Sequence, residues 1–154
     1  MSSDPSRRPD RNAQTAPELS IVIPAYNEER RLPDTLRRIR AYLDAKRVEA
    51  EVIVVDDGST DRTAAIAMGA RAGWPVLRLV RNETNTGKGY AVRHGVLEAR
   101  GRMVLFTDAD LSAPIEEADK LLAVLGPYEI AIGSRAVDRS LIEVHESRFR
   151  EVAG

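Results

Sequence analysis

The sequence predicts an α/β fold, a mostly parallel sheet with helices on both faces. Two observations predict it. From residue 18 onward, short apolar β-branched runs alternate with longer amphipathic stretches in the order βαβαβαβαβ, which calls for parallel strands joined by crossover helices. Nearly every short run also ends in Pro, Asp, Asn, Gly or Ser. Parallel strands would bring those ends to one rim, where such sheets bind ligands.

Leu19 to Ile23 is the first expected strand. Leu32, Leu36, Ile39 and Leu43 then recur at helical spacing and predict a helix over 30–46. Glu51 to Val55 is nearly continuous in β-branched residues, as in a strand buried on both faces. Ser59 or Thr60 is the expected cap of the next helix, which carries Ala64, Ile66 and Ala67. Pro75 to Val80 is the third strand. A helix from Lys88 to Arg100 follows, with Ala91, Val92, Gly95, Val96 and Ala99 on one face. Arg102 to Phe106 is the fourth strand, and Ser112 is expected to cap a helix with Pro114 in its first turn. Tyr128 to Ile132 is the expected fifth strand, and Leu141 to Val152 is weakly amphipathic. Residues 1–17, rich in Ser, Pro, Arg, Asp and Asn, are expected to be a disordered tail, leaving 18–154 as the domain.

The bulk properties narrow the function. With 23 basic and 24 acidic residues the net charge is -1, so the basic excess of a nucleic-acid binder is absent. The densest basic set, Arg30, Arg31, Arg37, Arg38 and Arg40, reads as the solvated face of a helix. There is no cysteine, which excludes disulfides, thiolate metal sites and thiol catalysis. No apolar run in the sequence approaches a membrane span.

Five polar segments fall at the strand ends: Pro24 to Glu28, Asp56 to Asp61, Asn82 to Gly89, Asp108 to Asp110, and Gly133 to Arg135. Crowded carboxylates repel one another, so a rim that gathers them is suited to a cation. Their hard oxygens favour Mg2+ or Mn2+, which take one or two carboxylates and complete the shell with water and phosphate. In continued strand geometry Asp108 and Asp110 would point the same way, with Ala109 opposite. A cation at Lys88, in the first turn of a helix, opposes the helix dipole and is better placed facing an anion such as phosphate. Gly87-Lys88-Gly89 is not a Walker A loop, because Asn82 stands where that motif needs Gly and Gly89 where it needs Ser or Thr. No dinucleotide fingerprint opens the first helix. His94 and His145, each without a second His nearby, read as structural or exposed.

In order and spacing, Pro24-Ala-Tyr-Asn-Glu28, Val55-Asp-Asp-Gly-Ser-Thr-Asp61, Asn85-Thr-Gly-Lys-Gly89 and Asp108-Ala-Asp110 resemble the inverting glycosyltransferases of family 2, which have the GT-A fold. The resemblance covers roughly residues 18–135. Asp108-Ala-Asp-Leu-Ser112 with Pro114 and Glu116, followed by Gly133-Ser-Arg135, leans toward the dolichyl- or polyprenyl-phosphate glucosyl branch; the mannosyl branch tends to carry Gln where Ser112 stands. The resemblance implies that Pro24, Tyr26 and Glu28 line the base and ribose pocket and that Asp56 and Asp57 contact the nucleoside. Lys88 would lie near the base or phosphates. Asp108 and Asp110 would form the D-x-D metal motif, with Asp110 the better ligand, and Arg135 would face the diphosphate or the acceptor phosphate. It implies a hexose, glucose from UDP-glucose, moved with inversion to a lipid phosphate. Other acceptors in the family are hydroxyls, and a short form could bind nucleotide without turnover. The expected location is the cytoplasm, with peripheral association at the cytoplasmic face of the membrane. The family domain continues beyond this length, so the expectation is an incomplete acceptor side with an exposed apolar patch, and hence poor solubility or need of a partner.

Overall fold

The computed structural model describes residues 16–133. The chain divides into two compact units at Glu116 and Glu117. The first contains a four-stranded parallel sheet of order β3-β2-β1-β4: β1 (Leu19–Ala25), β2 (Ala50–Asp57), β3 (Leu77–Asn82) and β4 (Met103–Phe106). Three helices connect the strands: α1 (Leu32–Lys46), α2 (Thr63–Ala72) and α3 (Lys88–Glu98).

β1 and β2 are central, and every residue of β1 is buried. Alternate residues point to opposite sides, so both faces of these strands are covered. On one face Val22, Ile53 and Val55 pack with Ala91 of α3. The other carries Ile21, Ile23, Val52 and Val54, all fully buried. There α2 lies over β3 and β2, with α1 beside it. The approach of α3 depends on Gly95: a Cβ there would stand 2.3 Å from Val22 Cγ1 and 2.8 Å from Val55 Cγ2. The helix can sit directly on the sheet because that position has no side chain. Farther out, on the same face of β4, Val104 and Phe106 are exposed.

After β1 the chain builds β2 and β3 on one side, then crosses to lay β4 on the other. The strand order therefore switches between β1 and β4, where a crevice opens at the carboxyl ends.

The second unit begins at Glu117, at the end of the 3-10 turn Ile115–Glu117, and contains α4 (Ala118–Val124). The expected fifth strand is not formed: Tyr128, Ile130 and Ile132 are exposed, and no strand covers Tyr128–Ile132. Apolar β-branched residues favour a strand only where a neighbouring strand takes their backbone bonds. The Leu141–Val152 stretch and residues 1–15 lie outside the described residues.

Candidate active site

The crevice holds a cleft of about 340 Å³ lined by Pro24, Ala25, Tyr26, Glu28, Asp57, Asn85, Lys88, Ala91, Asp108, Ala109 and Asp110. Segments from four sequence-distant loops thus meet at one place. Asp56 does not line it. It is fully buried, with Oδ2 accepting from Arg81 Nε at 3.0 Å and Oδ1 from the Ser59 N–H. The alternation along β2 explains the split: Asp56 follows Val54 to the α2 side, and Asp57 follows Val55 to the α3 side. Arg135 lies outside the described residues.

The loops after β1 and β2 are clasped together. Asn27, in the left-handed region at φ 54°, donates its N–H to Ser59 Oγ and accepts the Thr60 N–H on Oδ1. Glu28 N–H goes to Thr63 Oγ1, and Glu29 N–H to Asp61 Oδ2. Ser59 and Thr60 therefore serve this clasp rather than capping α2. Asp61 takes the first-turn donors instead, accepting from the Thr63 N–H and hydroxyl. Burial alone would raise its pKa, but these bonds outweigh burial and lower it.

Asp57 organises the wall formed by the next loop. Its carboxylate accepts from Asn82 Nδ2 at 2.6 Å, Thr86 Oγ1 at 2.6 Å, the Thr86 N–H, and the Gly87 N–H at 2.8 Å. Burial pushes its pKa up, but the Thr86 and Asn82 bonds and the backbone donors together bring it below the usual value. Beside it Gly58 has φ 71°, and a Cβ there would lie 2.6 Å from Asn85 N. The Gly58 turn and the Asp57 carboxylate thus hold segment 84–87 from two sides.

After β4 the chain turns rather than continuing as a strand, so the expected alternation of Asp108 and Asp110 about Ala109 is not the geometry. Leu111 N–H closes the turn on Asp108 C=O, with Leu111 at φ 48°. This is an uncommon backbone for a γ-branched residue, held by burial of its side chain. Ala109 is tied to α1 by its carbonyl, which accepts from Thr35 Oγ1 at 2.5 Å. Both carboxylates still reach the cleft. Asp110 Oδ1 accepts from the Ser112 N–H at 2.9 Å and its hydroxyl at 2.7 Å. The Ser112 hydroxyl bond is the largest cause of a lowered Asp110 pKa, with the Arg31 charge contributing. Ser112 is thus spent on Asp110, and α4 starts without a side-chain cap. Asp108 pairs with Lys88 Nζ at 2.6 Å, across the cleft from the start of α3. The expected partner of Lys88 was phosphate; here it faces a carboxylate in the same cleft.

Asp108 and Asp110 suit a hard divalent cation. They supply oxygen only, and Asp110 is held ionised. Among the described residues no group of three or more His, Cys, Asp or Glu converges on a metal position. The sequence does not single out Asn82 and Thr86, whose hydrogen bonds support Asp57; His94, expected to be structural or exposed, is structural, its Nδ1 2.7 Å from Asn82 Oδ1. Asn82 and Thr86 sit in a segment already marked polar, so only their specific role was missing.

A parallel α/β sheet with an acidic, lysine-bearing cleft at its switch point belongs to the class of open α/β domains that take their ligands at the carboxyl ends of the strands. The family model described as glycosyl transferase family 2 matches residues 20–142, and the chain belongs to that family. It is 46% identical over 133 residues to a dolichyl-phosphate beta-glucosyltransferase of Drosophila melanogaster, covering 77% of this chain and 41% of that protein. It is 43% identical to an undecaprenyl-phosphate 4-deoxy-4-formamido-L-arabinose transferase of Pseudomonas fluorescens, over 68% of this chain and 31% of that one. Among solved structures it resembles a mannosyltransferase from Pyrobaculum calidifontis in complex with GDP-Man and Mn2+. The TM-score is 0.64 at 28% identity, covering 76% of this chain and 34% of that one. The chain thus spans less than half the length of these relatives.

Proposed function

We propose that the protein acts in metal-dependent transfer of a hexose, glucose from UDP-glucose, to a polyprenyl or dolichyl phosphate, with inversion. The observation that carries this is the 46% identity to the insect enzyme over 77% of this chain, together with a family match over residues 20–142, which include every segment that builds the cleft. The Pseudomonas relative, named for a different sugar on undecaprenyl phosphate, supports a lipid-phosphate acceptor.

In this reading Pro24, Tyr26, Glu28 and Asp57 shape the nucleoside end of the cleft. Asp108 and Asp110 would hold Mg2+ or Mn2+. When bound, that ion supplies charge neutralisation at the leaving nucleoside diphosphate. Lys88 adds positive charge at the same end, and binding exchanges its Asp108 partner for phosphate. Arg135 keeps its proposed role toward the diphosphate or acceptor phosphate. A lipid phosphate is already ionised and attacks without a general base, so the cleft needs no group titrating near neutrality. Asp56 supports β2 and β3 through Arg81 rather than touching nucleotide. The expected site of action is the cytoplasmic membrane face, by peripheral association.

Calorimetric titration of UDP, GDP and UDP-glucose, with Mn2+ and then with EDTA, tests the donor half. The expected result is metal-dependent binding that prefers UDP and is lost in Asp110→Ala while the fold is retained. A folded sample that binds no nucleotide overturns the reading. Sugar transfer to a hydroxyl acceptor, with none to polyprenyl phosphate, overturns the acceptor assignment alone.

A further inference from the structure

We propose that His94 is a positioning residue for the nucleotide cleft, acting through Asn82 and Asp57 to hold loop 82–88 in the conformation that walls it. The proposal rests on the nucleotide-sugar reading of that cleft. His94 lies on α3, where its Nδ1 is 2.7 Å from Asn82 Oδ1. The Asn82 amide is oriented by its other end. Nδ2 lies 2.6 Å from Asp57 Oδ1 and 3.2 Å from Thr86 Oγ1. Only a donor is tolerated against that carboxylate, so the carbonyl oxygen must face the imidazole. Nδ1 therefore carries the proton and donates, and the direction of the whole chain is fixed: His94 to Asn82, Asn82 to Asp57.

Asn82 is only 8% exposed. Its carbonyl would otherwise be a poorly solvated acceptor. Without the imidazole donor, the amide loses the bond that keeps it aimed at Asp57. Asp57 in turn receives the Thr86 and Gly87 N–H groups, so slack in Asn82 reaches the residues just before Lys88. The imidazole is itself held by Tyr90, whose ring meets it edge-on with centroids 6.2 Å apart. His94 does not line the cleft, so it acts by placement.

Two readouts on four variants test this: His94→Leu, His94→Asn, Asn82→Ala and the double variant Asn82→Ala with His94→Leu. Backbone amide hydrogen exchange reports the loop without any ligand, and UDP titration with Mn2+ reports the cleft. His94→Leu keeps the bulk and removes the donor. His94→Asn keeps a donor near the Nδ1 position. The Leu variant is expected to speed exchange at Thr86 and Gly87 about fivefold to tenfold, the equivalent of one buried hydrogen bond. Core amides of β1 and β2 stay unchanged, and UDP binds more weakly by a similar factor. The Asn variant recovers most of both effects, and in an Asn82→Ala background the His94→Leu change adds nothing further. Unchanged exchange at Thr86 and Gly87 in the Leu variant, or a loss the Asn variant does not rescue, overturns the proposal. Faster loop exchange in a protein that binds no UDP even when unmutated leaves the loop role standing and overturns the nucleotide reading instead.

Discussion

The two ends of β2 carry the same kind of group to different ends. Along its α3 face the strand reads Glu51, Ile53, Val55, Asp57: a carboxylate at each end and aliphatic core between. Both carboxylates are buried, and both are held below their usual pKa by donors that outweigh burial. At the amino end, Glu51 accepts from the Ser20 hydroxyl at 2.7 Å and the Arg100 N–H at 2.6 Å. Arg78 pairs with it at 2.9 Å and reaches Glu98 as well. The charge is cancelled, and the arrangement ties β1, β2, β3 and the end of α3 into one knot. Every donor to Asp57 is neutral. Its charge is not cancelled by its own partners, and what it ties down is a single loop beside the cleft. The comparison teaches that hydrogen bonding alone can keep a buried carboxylate ionised.

Substitutions at the two ends should therefore fail differently, and this contrast carries the largest expected effect. Arg78→Met removes the cation and leaves Glu51 charged and buried. A loss of about 3 kcal/mol in unfolding free energy is expected, as for other broken buried pairs, with UDP affinity of the folded fraction unchanged. Asp57→Asn keeps the shape but places an amide where Gly87 and Thr86 donate. Its expected cost is smaller, about 1–2 kcal/mol, while UDP affinity falls more than tenfold. Urea denaturation and calorimetry on both variants decide the matter. Equal losses of affinity would erase the distinction.

Acid sharpens the same contrast with an intermediate effect. Glu51, Asp57, Asp61 and Asp110 all have lowered pKa values in the folded protein. Each binds its proton more readily when unfolded, so its contribution is complete above the ordinary values of 4.5 for Glu and 3.8 for Asp. It is lost as pH falls through the lower, folded values. Stability should be flat from neutrality down to about pH 5 and drop steeply below that. Glu51→Gln should start less stable and lose less between pH 5 and 3. A variant curve parallel to the parent's would show that the Glu51 knot does not drive acid unfolding.

How far the sequence foretold this depends on whether a feature is local or depends on pairing. β1, β2 and α1 stood out because unbroken apolar runs and a three-to-four spacing follow directly from what is buried. The expected start of α3 at Lys88 is the observed one. The cleft segments were legible because turn residues cluster at strand ends. Tyr128–Ile132 has strand composition but no strand to pair with among the described residues. Ser59, Thr60 and Ser112 look like caps in isolation, yet the Ser59 hydroxyl accepts from the Asn27 N–H and the Thr60 N–H donates to Asn27 Oδ1 across the rim, while the Ser112 hydroxyl donates to Asp110 two residues before it. The α3-facing row of β2 could be read from alternation. That His94 closes on Asn82, twelve residues away, needs the turn between β3 and α3 to be known.

The smallest effect is expected where solvent competes. Ser112→Ala deletes the hydroxyl donor to Asp110 and leaves the Ser112 backbone N–H in place. Asp110 is exposed at the rim, so the stability change should stay below about 1 kcal/mol. The consequence belongs to the metal. The Ser112 hydroxyl is the largest cause of the lowered Asp110 pKa, and without it protons compete better for that carboxylate in acid. Mn2+-dependent UDP binding in the Ala variant should match the parent at about pH 7.5 and fall behind it at about pH 4, close to the ordinary Asp value of 3.8, where the carboxylate begins to be protonated. A deficit of the same size at both pH values would mean that Ser112 orients Asp110, or touches the ion, rather than tuning its charge.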